Sequence, residues 1–176
     1  MKLSPLRGTI AALVTLVSLS GCATIAATST APAEAIFVIV RHAEKATNDP
    51  KDPALSETGR ARAQRLAERL ADAQVSAVYA TGYRRTQQTA APTALAHRIE
   101  VRTYQATMTT TDLAAQLRSG HTTGVVLVVG HSNTVSTIAG ALCGCEVAPL
   151  REDEYDRWIA IHADRNGATT LEEGRY

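Results

Sequence analysis

Two short stretches constrain this chain most: IFVIV at residues 36–40 and VVLVV at residues 125–129. Each is an unbroken run of large apolar, mostly β-branched side chains. Successive side chains of a strand point to opposite faces, so such a run is buried on both, as in a parallel sheet lying between helices. Around these runs the period changes. Ser56 is a good N-cap, and Ala63, Leu66, Ala67 and Leu70 repeat at helical spacing, with Arg60, Arg62, Arg65, Glu68 and Arg69 mostly on the other face. Residues 76–80 read as a second strand, and 83–97 as a helix that Pro92 interrupts or restarts. A short strand at 99–102, a helix at 112–118 and a small-residue helix at 133–142 complete the alternation. The tail offers strands at 158–162 and 168–171 around the turn signal Asn166-Gly167. Alternating strands and helices predict an α/β fold, with three α/β/α layers around a mainly parallel sheet.

The first residues read as an address. Lys2 and Arg7 precede an uncharged apolar run at 9–19, too short to cross a bilayer, which takes roughly 20 residues. Leu19-Ser20-Gly21-Cys22 follows and resembles a bacterial lipobox, which implies lipidation of Cys22 and cleavage after Gly21. The expected organisation is a signal peptide at 1–21, a flexible tether at 22–34 and a folded domain at 35–176. The tether is small, polar and nearly uncharged. The resemblance places the mature protein on the periplasmic side of the inner membrane, held through lipid on Cys22, at the outer membrane in a Gram-negative host. An ordinary signal peptide or a short membrane anchor is the alternative reading of the same residues.

Without Lys2 and Arg7, the 18 basic residues fall to 16 against 17 acidic ones, a balance of −1. A near-neutral domain with 4% aromatic residues gives no electrostatic or stacking reason to bind nucleic acid. A hydrophobic fraction of 45% is enough for a core without a metal or disulfide staple.

Chemistry gathers where strands end. The first buried run leads into Arg41-His42, the strand at 76–80 into Tyr83-Arg84-Arg85-Thr86, and the second buried run into Gly130-His131-Ser132-Asn133. Ligands of open α/β sheets bind outside the carboxyl ends of the strands, and parallel strands put these ends at one rim. Two imidazoles and at least one guanidinium there suit an anion, and Arg forks match phosphate. Val40-Arg41-His42-Ala43-Glu44-Lys45, Leu55-Ser56-Glu57-Thr58-Gly59, the run YATGYRRTQQTA at 79–90 and Val129-Gly130-His131-Ser132 together resemble, in order and spacing, the motifs of the histidine phosphatase superfamily. Ala43 stands where Gly is more usual. The resemblance implies a phosphoglycerate mutase-like fold and a metal-independent, cofactor-free phosphatase. His42 would be the nucleophile, with Arg41, Arg85 and His131 gripping a small phosphorylated substrate. Arg85 rather than Arg84 fills the pattern, because it lies four residues before Thr89. Asn48, six residues after His42, takes the place of a substrate-contacting Asn, or is simply a turn residue.

The family's proton donor is the departure. The segment after the Thr-Ala helix holds only Glu100 and Asp112 as acids. Asp112 is the candidate donor, although an acid there also suits a helix start. The segment between Ala90 and Gly130 is short, so only a minimal cap over the site is expected, which favours a phosphatase over a mutase. A phosphate-binding protein without turnover and a phosphohistidine-protein phosphatase are the other readings. Cys143 and Cys145 read first as two small thiols, with a small strained bridge as the alternative and a metal pair as a third. Tyr155 and Trp158 read as packing residues, and His121 as solvated.

Overall fold

A computed structural model describes residues 34–47 and 49–176. The expected signal peptide, Cys22, the expected tether up to residue 33 and Asn48 lie outside the described residues. The elements run β1 (Ala35–Arg41), α1 (Glu57–Arg69), β2 (Val75–Thr81), α2 (Arg84–Ala96), β3 (Val101–Tyr104), α3 (Thr110–Gly120), β4 (Gly124–Gly130), α4 (Val135–Cys143), β5 (Arg157–Ala163) and β6 (Thr169–Arg175). They form one six-stranded sheet in the order β3-β2-β4-β1-β5-β6. β3, β2, β4 and β1 are parallel, while β5 and β6 are antiparallel.

The two apolar runs are the neighbouring centre of the sheet. Ala35 pairs with Gly124 at one end and Arg41 with Gly130 at the other. Their alternate side chains feed two cores. Phe37, Ile39, Val126 and Val128 pack with Leu113, Leu117, Ile138 and Leu142 of α3 and α4. Val38, Val40, Leu127 and Val129 pack on the other face with Leu66, Ala90 and Ala94 of α1 and α2. The fold is therefore three layers of α/β/α.

Local chemistry sets the helix ends. Ser56 caps α1 by accepting from the Gly59 N–H at 3.0 Å. α2 runs unbroken through Pro92, contrary to the expected interruption. Thr89, Ala90, Thr93 and Ala94 are buried on both sides of the proline, and this packing carries the helix through it. It offsets the lost backbone bond and ring clash, a cost of about 3 kcal/mol or more in a helix interior. At the end of α4, Gly144 adopts φ 66 and ψ 26, the left-handed conformation that glycine takes freely. This turn brings the Cα atoms of Cys143 and Cys145 to 5.2 Å, and the two sulfurs are bonded. The pair is thus a disulfide rather than two thiols.

Candidate active site

Arg41, His42, Arg85 and His131 line one open pocket of about 360 Å³ at the carboxyl rim of the parallel strands. A larger cavity of about 500 Å³ lies at the other rim, beside Ala35 and Thr123, and includes none of the four. The pocket stays open because only residues 105–109 separate β3 from α3.

His42 follows β1 directly and extends its pairing, its N–H donating to the Gly130 carbonyl at 2.9 Å. Its ring Nδ1 lies 2.8 Å from the Ala43 carbonyl oxygen. A carbonyl can only accept, so Nδ1 carries the proton and Nε2 keeps its lone pair. The ring is only 4% exposed, and burial lowers its pKa to about 3. The Ala43 bond works against this shift, while His131, Arg41 and Arg85 add to it. His42 is a neutral imidazole across the physiological range.

The loop carrying His42 is fastened to α2. The Ala43 N–H donates to Thr89 Oγ1 at 3.0 Å, and that hydroxyl donates to the Arg85 carbonyl at 2.7 Å. The four-residue spacing of Arg85 and Thr89 thus ties the nucleophile loop to the helix that carries the guanidinium.

His131 sits on a tight turn after β4. Its N–H donates to Thr134 Oγ1, and its carbonyl accepts from the N–H groups of Thr134 and Val135. Its Nε2 lies 3.0 Å from Thr81 Oγ1, which lies 2.8 Å from Thr86 Oγ1. This pair of hydroxyls can donate to or accept from Nε2. His131 can therefore stay neutral while its other nitrogen donates to an anion. Burial lowers its pKa to about 4, with Arg85 and Arg41 contributing. The His42 and His131 rings meet edge to face, 5.5 Å between centroids.

Both guanidiniums are held on aromatic faces. Arg41 Cζ lies 4.2 Å from the Tyr155 ring centroid, and Arg85 Cζ 4.3 Å from that of Tyr83. Arg41 Nη1 donates to the carbonyls of Arg151 and Glu152, at 3.3 and 2.8 Å. Its Nη2 donates to Glu152 Oε2 at 3.3 Å. Arg85 Nη1 is 3.8 Å from Asp52 Oδ1. The Nε atoms of Arg41 and Arg85 are buried without a hydrogen-bond partner. Unpaired buried donors on cations are costly unless a ligand satisfies them, and neutral imidazoles beside them leave the pocket ready for an oxyanion.

The other expected residues lie elsewhere. Arg84 is half-exposed, 4.0 Å from Asp49 Oδ2. Asp112 does not line the pocket: it sits in the first turn of α3, where Oδ2 accepts from Thr109 Oγ1 at 2.7 Å and its N–H donates to the same hydroxyl. It serves as a helix-start residue, the alternative that its position in a first turn always allowed. Glu44 is held by Arg62 through both carboxylate oxygens at 2.6–3.0 Å. Tyr155 packs on the Arg41 guanidinium, and Trp158 is buried in the core. His121 is not free in solvent, since its Nε2 lies 3.0 Å from Tyr79 Oη. Glu152, Tyr155 and Thr81 were missed because they reach the site through contacts distant in sequence. The acidic run REDEYD at 151–156 was the only signal for Glu152 and Tyr155. Among the described residues, no three His, Cys, Asp or Glu side chains cluster as metal ligands.

The histidine phosphatase superfamily (branch 1) profile matches residues 37–108, which hold β1, His42, α1, β2 and the Arg85 helix. The match covers this part of the chain alone. The chain's fold matches that of the protein histidine phosphatase SixA complexed with tungstate, at a TM-score of 0.63 and 17% identity over 81% of this chain and 96% of that one. A mycobacterial glucosyl-3-phosphoglycerate phosphatase matches at 0.60 and 16%, over 83% of this chain and 99% of that one. A protein described as mycobacterial hydrolase 1 matches at 0.62 and 16%, covering 81% and 97%. No curated protein matches the chain. At these identities the solved structures bear on the fold alone.

Proposed function

We propose that this chain hydrolyses phosphomonoesters through a phosphohistidine on His42, without a metal. One observation carries the reading: a single pocket joins an imidazole whose lone pair sits on Nε2 with two guanidiniums whose buried Nε donors lack partners. The phosphoryl oxygens take the Arg41, Arg85 and His131 donors, whose charge is in place before the group is transferred. His42 Nε2 attacks phosphorus, the bond to the leaving oxygen breaks, and water later displaces the phosphoryl group from nitrogen. The solved SixA protein was complexed with tungstate, a tetrahedral oxyanion like phosphate, which is in keeping with this reading. We also place the domain at the cell envelope, tethered through lipid on Cys22 on the periplasmic side.

The full chain is expected to hydrolyse p-nitrophenyl phosphate in the presence of EDTA and to take an acid-labile phosphoryl label. His42→Ala should abolish both. Full activity of that variant removes the proposal, and phosphate binding without any label favours a non-catalytic phosphate-binding protein. The open pocket supports a second reading, a phosphohistidine-protein phosphatase, because no cap excludes a polypeptide. Preference for a phosphohistidine peptide over sugar phosphates would select it.

A further inference from the structure

Turnover of an alkyl phosphate needs a proton at the departing oxygen, and hydrolysis of the phosphohistidine needs one taken from water. The carboxylates that the sequence offered do not serve. Asp112 is bonded to Thr109, the N-cap of α3, Glu44 is committed to Arg62, and Glu100 lies outside the pocket. Among the described residues, Glu152 is the one carboxylate that lines the pocket with His42.

Its placement is specific. The main chain at 151–154 wraps the Arg41 guanidinium, with the Arg151 and Glu152 carbonyls accepting from Nη1 and the Glu154 carbonyl at 3.5 Å. Of the carboxylate oxygens, Oε2 accepts from Arg41 Nη2 at 3.3 Å and Oε1 accepts from Ser132 Oγ at 3.2 Å. Arg41 precedes His42 and Ser132 follows His131, so each oxygen is tied to the chain neighbour of one site imidazole. The side chain is 86% exposed, so bulk water reaches it, while its backbone carbonyl is bonded to Arg41.

We infer that Glu152 is the proton-transfer residue of this site, an inference that rests on the phosphatase reading. In the first step His42 Nε2 forms the N–P bond, the P–O bond breaks, and its electron pair leaves on the ester oxygen, which takes the proton of the Glu152 carboxylic acid. In the second step the Glu152 carboxylate takes a proton from water as the water oxygen bonds to phosphorus. The N–P pair returns to Nε2, and inorganic phosphate and the acid are restored. The carboxylate thus comes from the loop before β5, not from the segment after α2.

The test compares the full chain with Glu152→Gln on p-nitrophenyl phosphate and on glycerol 3-phosphate. Gln can accept from Arg41 through its oxygen and donate to Ser132 Oγ through its amide, but it cannot shuttle a proton. The expected loss in kcat/KM on the alkyl ester is about 100-fold or more, the size of general acid catalysis. The loss on the aryl ester, whose leaving group departs as a stable anion, should be smaller by about ten-fold or more. Equal losses on both esters, or no loss on either, overturn the inference. Failure of the phosphatase reading itself looks different: the unaltered chain would turn over neither ester and would take no label on His42.

Discussion

His42 and His131 are buried bases that stay uncharged, and this has a consequence for stability. The native pKa of His42 is about 3 against an ordinary value of 6.5. Between those values the unfolded chain binds a proton that the native ring refuses, so unfolding is favoured as pH falls. The contribution of His42 to stability is complete above pH 6.5 and is lost progressively as pH falls toward 3. The melting temperature of the natural chain should therefore fall more steeply from pH 6.5 to pH 4 than that of His42→Gln, which has no ring to protonate. Parallel curves by circular dichroism would show that burial does not hold the ring neutral. In kcat/KM, free-enzyme His42 should give no acid limb near pH 6.5.

At the scale of elements, the site depends on helices being pinned to the loop that carries the nucleophile. α1 begins against the backbone of Glu44. The Ser56 N–H donates to the Glu44 carbonyl at 2.9 Å, and a Cβ added to Gly59 would run into that same carbonyl. The obstacle is backbone held by a hydrogen bond, so it cannot yield as a flexible side chain would. Gly59→Ala should cost on the order of 2 kcal/mol or more as an overpacked contact, lowering the melting temperature by about 5 °C. Thermal unfolding checks this, and an unchanged transition would mean that α1 docks with slack. The glycine in Leu55-Ser56-Glu57-Thr58-Gly59 thus has a steric reason. The threonine of the third motif, at 79–90, has a hydrogen-bonding one, since Thr89 links Arg85 to Ala43.

For the whole molecule, the sheet separates two poles. β1 starts at Ala35 on one rim and delivers Arg41 to the other, roughly 20 Å away. An anchor joined ahead of Ala35 attaches at the rim opposite the pocket. If Cys22 is lipidated as proposed, the lipidated chain in vesicles and an unlipidated chain beginning at Ala23 should therefore show the same kcat/KM on p-nitrophenyl phosphate. A large drop on anchoring would mean that the membrane covers the site.

Much of this was legible in the sequence, because it is encoded locally. Continuous β-branched runs become buried strands, Ser56 caps a helix, and Arg41-His42 and His131 fall at strand ends that parallel pairing must bring to one rim. Tertiary structure alone decided the rest. It brought Glu152 against Arg41, 111 residues away, and stacked Tyr155 on the same guanidinium. It carried α2 through Pro92 and closed the Cys143–Cys145 bridge by way of Gly144. Hydrophobic period and turn chemistry act over a few residues and leave their mark in the sequence. Contacts between distant segments are set by how the layers pack, and no local pattern records which side chain will meet which.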